Sequence, residues 1–266
     1  MFDRFNRKLD YLRISVTDRC NLRCTYCMPE EGIRLFPHNE ILSFGEIAGF
    51  TRVAVEKGVK KVRITGGEPL VRKEITTLVS MISEINGIED FSMTTNGTLL
   101  NRYAHELKRA GLHRVNISLD TVDPDKFRAI TRYGNLNDVF EGITAAKDAG
   151  LLPVKINCVI RDTKEEEEAK EVSKFCLKND LEIRYIRQMD LLNGHFSVVE
   201  GGTGGDCEKC NRLRLTSNGK LKPCLFSNIE FDIRETGYER ALSLAAEYKP
   251  QCGSINETGA FYNIGG

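Results

Sequence analysis

Tyr11-Leu12-Arg13-Ile14-Ser15-Val16-Thr17 runs through Asp18 and Arg19 into Cys20-Asn21-Leu22-Arg23-Cys24-Thr25-Tyr26-Cys27, and this join of a short apolar strand to three close cysteines organises the reading of the whole chain. Thiols gathered so tightly are poor core material and good metal ligands, because the thiolate is the binding form. A four-iron cluster usually takes four cysteines, so three would leave one iron open to another ligand. A zinc site and a redox-labile thiol group are the alternatives. Zinc normally wants four ligands from paired knuckles, and no second pair lies nearby in sequence.

Outward from that join, short β-branched or aromatic runs bounded by Gly, Asp, Asn or Pro predict strands over 11–17, 61–65, 90–95, 114–119, 154–160 and 182–189. Helical patterns fill the intervals 43–57, 73–85, 99–110, 137–149 and 165–179. Ser43 reads as an N-cap with Glu46 at the third helical position, and Gly58, Gly111 and Gly150 fall where C-cap glycines belong. Strict alternation of this kind implies a parallel sheet with right-handed crossovers. The expected fold class is therefore α/β, a partial (βα)6 TIM-type barrel with a C-terminal extension. Cys20/Cys24/Cys27, Gly66-Gly67-Glu68-Pro69, Asn96-Gly97 and Asp120 each follow a predicted strand, and all should share the rim where such folds place their active sites. Glu165-Glu166-Glu167-Glu168 reads as a solvated first helical turn. Gly201-Gly202-Thr203-Gly204-Gly205 reads as a flexible joint, which divides the chain into a barrel unit, 1–190, and a second cysteine-bearing region, 191–266.

A chain of 266 residues can bury a large core. Lys+Arg and Asp+Glu each total 38, giving a net charge of 0, which argues against a protein-wide field for nucleic acid or membrane. No apolar signal-peptide core opens the chain and no run reaches the length of a membrane span, so a cytoplasmic location is expected. Nine cysteines, an odd count in such a chain, point to metal thiolates more than to disulfides. Six form two triads. Cys158, Cys176 and Cys252 are expected to be buried small hydrophobes.

The second triad is Cys207-Glu208-Lys209-Cys210 with Cys224. Structural zinc is an open alternative, with His195 or Cys252 as its nearby fourth ligand. A second iron–sulfur cluster with its own open iron accounts for three cysteines directly.

The C-x3-C-x2-C spacing with Tyr26 before the third cysteine, together with Gly66-Gly67-Glu68 after an apolar strand, resembles the radical SAM superfamily. With Leu12-Arg13-Ile14-Ser15, Arg63-Ile64-Thr65-Gly66, Val115-Asn116-Ile117-Ser118-Leu119-Asp120 and Asn211-Arg212-Leu213-Arg214 added, it is similar to the GTP 3',8-cyclase family of molybdenum cofactor biosynthesis. The resemblance implies two 4Fe-4S clusters, on Cys20, Cys24 and Cys27 and on Cys207, Cys210 and Cys224. It implies S-adenosylmethionine contacts at Tyr26, Gly66, Gly67, Glu68, Ser118 and Met189. GTP contacts fall on Arg13, Arg63, Thr94, Lys155, Arg212 and Arg214, with Arg184 added. The implied partners are GTP or a related nucleotide and a reductant such as flavodoxin or ferredoxin, and a homodimer is compatible with the sequence. The terminal Gly265-Gly266 resembles a glycine pair that reaches into that family's active site. Residues 190–206 are short against the family's pattern, which leaves room for a paralogue acting on another molecule. The short segment is still long enough to carry the second triad over the barrel mouth.

Overall fold

The computed structural model describes residues 1–189 and 197–254. The readings of His195 and of Gly265-Gly266 lie outside the described residues. Strands and helices alternate as β1 (Tyr11–Ser15), α1 (Phe44–Glu56), β2 (Lys61–Thr65), α2 (Ile75–Ser83), β3 (Asp90–Thr95) and α3 (Leu100–Arg109). They continue as β4 (Arg114–Ser118), α4 (Pro124–Thr131), α5 (Leu136–Asp148), β5 (Lys155–Ile160), α6 (Glu167–Lys178) and β6 (Glu182–Arg187). The C-terminal region adds β7 (Arg212–Leu215), β8 (Lys220–Lys222), β9 (Phe231–Asp232), α7 (Ile233–Thr236) and α8 (Tyr238–Glu247).

These strands form one sheet in the order β6-β5-β4-β3-β2-β1-β7-β8-β9. The first six are parallel and the sheet does not close, so the fold is an α/β partial barrel. One set of alternate side chains faces the helices. Leu12, Ile14, Val62, Ile64, Phe91, Met93, Val115 and Ile117 are all fully or nearly fully buried there. The other set faces inward and is polar: Arg13, Arg63, Ser92 and Thr94, Asn116, Lys155 and Arg184. A closed barrel normally fills this space with Val, Ile and Leu. A polar interior instead leaves room for a polar ligand.

Local chemistry explains the element ends. Ser43 and Glu46 make the expected reciprocal capping box, and Gly58, Gly111 and Gly150 all take positive φ beyond their helices. The helix α4 was not expected. Asp123 caps it by accepting from the Asp125 and Lys126 N–H groups, with Pro124 in its first turn. Of the acidic run, Glu166 is no bare solvated residue, since its carboxylate accepts from the N–H groups of Arg161, Asp162 and Thr163.

Two expectations are corrected. The glycine run is a tight hairpin, not a flexible joint. Glu200 pairs with Tyr185 on the β6 edge, and the Val199 N–H donates to Gly204 O at 2.8 Å. A Cβ on Gly201 would lie 2.7 Å from Ile183 O, and one on Gly205 would lie 2.1 Å from Ser197 O. The glycines serve this close approach, not mobility. The second correction concerns the second triad, which does not sit over the rim of the first. Because β7 runs parallel to β1 with Arg212 beside Tyr11, Cys210 lies at the N-terminal edge of the sheet, opposite Cys20.

Candidate active site between two cysteine ends

At the C-terminal rim, Cys20, Cys24 and Cys27 occupy one loop, and all three are free thiols. The Cys27 and Met28 N–H groups donate to Cys24 O, which curls the loop around its own centre. The end of α4 anchors it. Arg23 and Thr25 N–H groups donate to Thr131 and Ile130 carbonyls, and Arg132 donates to Arg23 O and Met28 O. Tyr26 Oη donates to Asp120 Oδ2 at 2.6 Å, while Asp120 Oδ1 accepts from Val159 N–H at 2.8 Å. Asn96 reaches the loop through Asn21 at 2.9 Å.

Gly66 and Gly67 support the same loop. The Gly67 N–H donates to Thr17 O at 2.7 Å and Glu68 N–H to Arg19 O at 2.8 Å. A Cβ on Gly67 would lie 2.3 Å from Arg19 O, so only glycine lets this turn hold the approach to Cys20. The Glu68 carboxylate is buried and turned into the fold, accepting from Thr95 Oγ1, Leu70 N–H and Asn96 N–H. Burial raises its pKa to about 7. The same cause, with the neighbouring thiols adding to it, pushes Cys20 up to about 11 and Cys24 up to about 12. Ser118 ends β4 on this rim.

At the opposite edge, Cys207 and Cys210 lie in the turn before β7 and Cys224 follows β8. Two buried cations hold this end together. Arg7, paired to Asp3 at 2.6 Å, donates to Cys207 O, Pro250 O and Gln251 O. Lys249, 1% exposed, donates to Arg212 O at 2.9 Å and to Pro223 O. Its charge faces Cys210 and Cys224. Burial works against the Cys210 thiolate, but Lys249 and then Arg212 bring its pKa below the ordinary thiol value. Cys224 stays raised by burial. Cys158 and Cys176 are buried as expected. Cys252 is not: it is exposed, and its Sγ stands 2.8 Å from Cys207 Sγ. It follows the carbonyls that Arg7 holds, so the chain delivers it to the second triad instead of the core.

Inside the sheet, opening beside the second triad, lies a cavity of about 450 Å³. Arg13, Arg63, Lys155, Arg184, Arg212 and Arg214 all line it, as do Tyr11, Arg114, Cys210, Cys224 and the hairpin at Val199 to Gly205. Burial lowers the pKa of Arg63 to about 10 and depresses those of Arg13, Arg184 and Arg214, with neighbouring arginines adding to the effect. Thr94 Oγ1, Tyr11 Oη and Arg184 Nε are buried without a hydrogen-bond partner. Clustered buried cations and orphaned polar atoms are costly alone and are what an anionic, hydrogen-bonding ligand relieves. Met189 lines the cavity too, packed against Leu225 and Phe226 beside Cys224. Asp90 pairs with Arg114 at 2.6 Å. A separate groove of about 540 Å³ among Arg52, Glu56, Lys60 and Glu84 touches none of the cysteines and lacks such convergence.

Tyr11, Arg114, Arg7 and Lys249 were not singled out by the sequence as site residues, and Cys252 was expected in the core or, under the zinc alternative, as a fourth ligand. For Tyr11 and Arg114 the signal was present, since each alternates in phase with Arg13 and Asn116 on its strand.

The donor sets fit clusters better than single ions. Among the described residues, no three Cys, His, Asp or Glu side chains converge as one metal ion requires. Tetrahedral zinc, with bonds of about 2.3 Å, would draw its thiolates to within about 4 Å of one another. A cluster spreads them over separate irons. A radical-generating iron–sulfur enzyme on a partial barrel is the class this arrangement defines, and residues 14–176 match the radical SAM superfamily. Residues 156–247 match Molybdenum Cofactor Synthesis C. The chain is 44% identical to the GTP 3',8-cyclase of Thermodesulfovibrio yellowstonii, over 88% of this chain and 87% of that protein. It is 38% identical to that of Alkaliphilus metalliredigens, over 97% and 92%. The chain belongs to the GTP 3',8-cyclase family within the radical SAM superfamily. The first of these alignments runs to 281 positions while covering only 88% of 266 residues, so the relative carries residues that this chain lacks. Among solved structures, Streptococcus suis SuiB bound to its precursor peptide SuiA aligns with a TM-score of 0.68 at 17% identity, over 92% of this chain and 66% of that one. That likeness speaks to the fold alone.

Proposed function

We propose that this chain cyclises GTP to 3',8-cyclo-7,8-dihydro-GTP for molybdenum cofactor biosynthesis, with the nucleotide lying between the two cysteine ends. The observation that carries the reading is the polar barrel interior, where arginines from β1, β2, β6 and β7 converge on one cavity. In this reading Cys20, Cys24 and Cys27 hold a 4Fe-4S cluster whose open iron takes S-adenosylmethionine, with Tyr26, Gly66, Gly67, Glu68 and Ser118 around it, while Met189, expected there too, packs beside Cys224 on the nucleotide side. When bound and reduced by a one-electron donor such as flavodoxin or ferredoxin, that cluster supplies a 5'-deoxyadenosyl radical, which removes the ribose 3' hydrogen. Cys207, Cys210 and Cys224 hold a second 4Fe-4S cluster that receives the guanine.

The chain's own residues do the positioning. Arg13, Arg63, Arg184, Arg212, Arg214 and Lys155 neutralise the triphosphate, and arginine forks fix its oxygens in two-point contacts. Thr94 Oγ1 offers an unengaged hydrogen-bonding group to the nucleotide. The hairpin at Val199 to Gly205 walls the side of the cavity. The strand ends Tyr11 and Ser15 are four residues apart, or about 13 Å, which is the scale of a nucleoside held between two centres. Residues 1–190 act as the radical-generating unit and 191–266 as the substrate-holding region. No helix among the described residues is long and apolar enough to cross a membrane. A cytoplasmic enzyme, working as a monomer or a homodimer, fits this reading.

The test is anaerobic incubation of reconstituted protein with S-adenosylmethionine, dithionite and GTP. Wild type should form 5'-deoxyadenosine and the cyclised nucleotide together. Cys24→Ala should form neither, and Cys210→Ala should lose the cyclised product while still cleaving S-adenosylmethionine slowly. If GTP fails to stimulate cleavage in protein with both clusters filled, the cyclase reading is wrong.

A further inference from the structure

The segment after α8 is built toward the second triad. Arg7 grips the carbonyls of Pro250, Gln251 and Cys207 with one guanidinium. On the far side of Cys252, the Ser254 N–H donates to Phe226 O at 2.9 Å. Gly253 lies so close to the triad that a Cβ there would meet Cys224 Sγ at 3.2 Å and Phe226 Cβ at 2.8 Å. A side chain at this position would push the segment away. The result is a thiol, Cys252, anchored on both sides and placed 2.8 Å from Cys207 Sγ. This end of the barrel therefore holds four cysteine sulfurs, those of Cys207, Cys210, Cys224 and Cys252.

We propose that Cys252 is a fourth, exchangeable thiolate of the second cluster site, closing it in the absence of nucleotide and giving way when guanine binds. This rests on the second-cluster reading above. Four cysteines are the usual complement of an iron–sulfur cluster, and three are the exception that leaves an iron open. In a cluster each cysteine binds a separate iron, so cluster binding requires Cys252 to turn away from Cys207, from which its Sγ stands 2.8 Å. The exposed side chain of Cys252 has the freedom to do so. The exchange involves no oxidation. The iron–sulfur bond to Cys252 breaks, the released thiolate takes a proton from solvent, and a guanine donor atom takes the vacated position. Such a cap would protect the open iron from solvent and oxygen between turnovers. It would also make the site selective, because a ligand must compete with a tethered thiolate.

Thiol accessibility reads this without using activity. The full chain, reconstituted anaerobically and assayed for iron, is pulsed with iodoacetamide, and the Cys252 peptide is quantified by mass spectrometry. The reference is the metal-free, reduced protein. Cys252 should label at least about tenfold more slowly in the reconstituted protein, since a metal-bound thiolate is masked. Saturating GTP should restore its labelling while Cys210 stays protected. Cys252→Ser should bind the same iron and lose it several-fold faster to a chelator. Equal labelling of Cys252 with and without clusters overturns the proposal, as does a Cys207–Cys252 disulfide in the reconstituted protein or an unchanged chelation rate in Cys252→Ser. If the wild type takes up only one cluster's iron, the second-cluster reading itself fails. Two clusters' worth of iron with a freely labelled Cys252 sinks this inference alone.

Discussion

At the C-terminal rim three cysteines share one loop, tied down by backbone hydrogen bonds and half-exposed arginines, whereas at the N-terminal edge four cysteines from three separate segments gather around buried charges. The difference shows in the thiols. Burial and mutual repulsion push Cys20 and Cys24 up to about 11 and 12, while Lys249 brings Cys210 below its ordinary value. The rim is thus shaped by covalent proximity and asks its cluster to supply the positive charge. The far edge carries its own counter-charge. Two ends assembled by different forces should fail separately.

The largest effect is expected at the far edge. Arg7→Ala removes a guanidinium whose partner Asp3 has a fully buried side chain, leaving a carboxylate with no counter-charge. Breaking such a pair costs about 3–5 kcal/mol. The carbonyls of Cys207, Pro250 and Gln251 lose their common donor as well. Urea denaturation of the metal-free protein should show this loss. Iron assays on reconstituted protein should show the second cluster depleted and the first retained. Equal loss of iron from both ends would break the distinction between them.

A smaller effect is expected from Gly67→Ala at the rim. Its Cβ would have to lie 2.3 Å from Arg19 O, a backbone atom that cannot swing aside. The turn and the loop entering Cys20 must separate, at a cost of about 1–3 kcal/mol. Here the first cluster should be the one depleted, with the second intact. Substrate-independent cleavage of S-adenosylmethionine should fall with the iron.

The same contrast governs what the sequence disclosed. Period-two alternation and turn residues located all six barrel strands, and the cysteine spacings located both triads, because these are local patterns. The helix α4 announces itself only through Asp123-Pro124 and a short apolar stripe, a pattern hard to tell from a turn, and it is the main anchor of the first loop. Gly201 to Gly205 departs from the expected joint because composition cannot distinguish a flexible glycine run from one pressed against a neighbouring strand. Arg7 and Lys249 were out of reach for another reason. Each acts across the fold, Arg7 on carbonyls some two hundred residues away, and no local pattern marks a charge as a buried clamp. The side of the sheet on which the second triad lies was equally hidden, since it depends on β7 joining β1 in parallel.

The last expected effect concerns Glu68, shows only as pH is varied, and tests how the rim tolerates charge. This carboxylate is fully buried with three donors and no cation among its bonded partners, and burial raises its folded pKa to about 7. The unfolded value is near that of a free glutamate, about 4.3. A folded pKa above the unfolded one means that the native state holds the proton more tightly. The associated stability is therefore present below about pH 4.3 and is lost as pH rises through 7, at a total of about 3–4 kcal/mol. Metal-free wild type should accordingly lose stability across this window relative to Glu68→Gln, which cannot ionise. The amide disturbs one of the three hydrogen bonds, so the variant starts lower, and the informative quantity is the slope of stability against pH, not its level. Denaturant midpoints at several pH values between 4.5 and 7.5 would supply it. Parallel slopes would mean that the three donors already hold Glu68 ionised throughout, and the rim would then carry a fixed negative charge facing the cluster loop. A flatter slope in the variant would mean that the rim shapes its loop with a carboxyl that is neutral in mild acid, and that the two ends differ in charge as well as in construction.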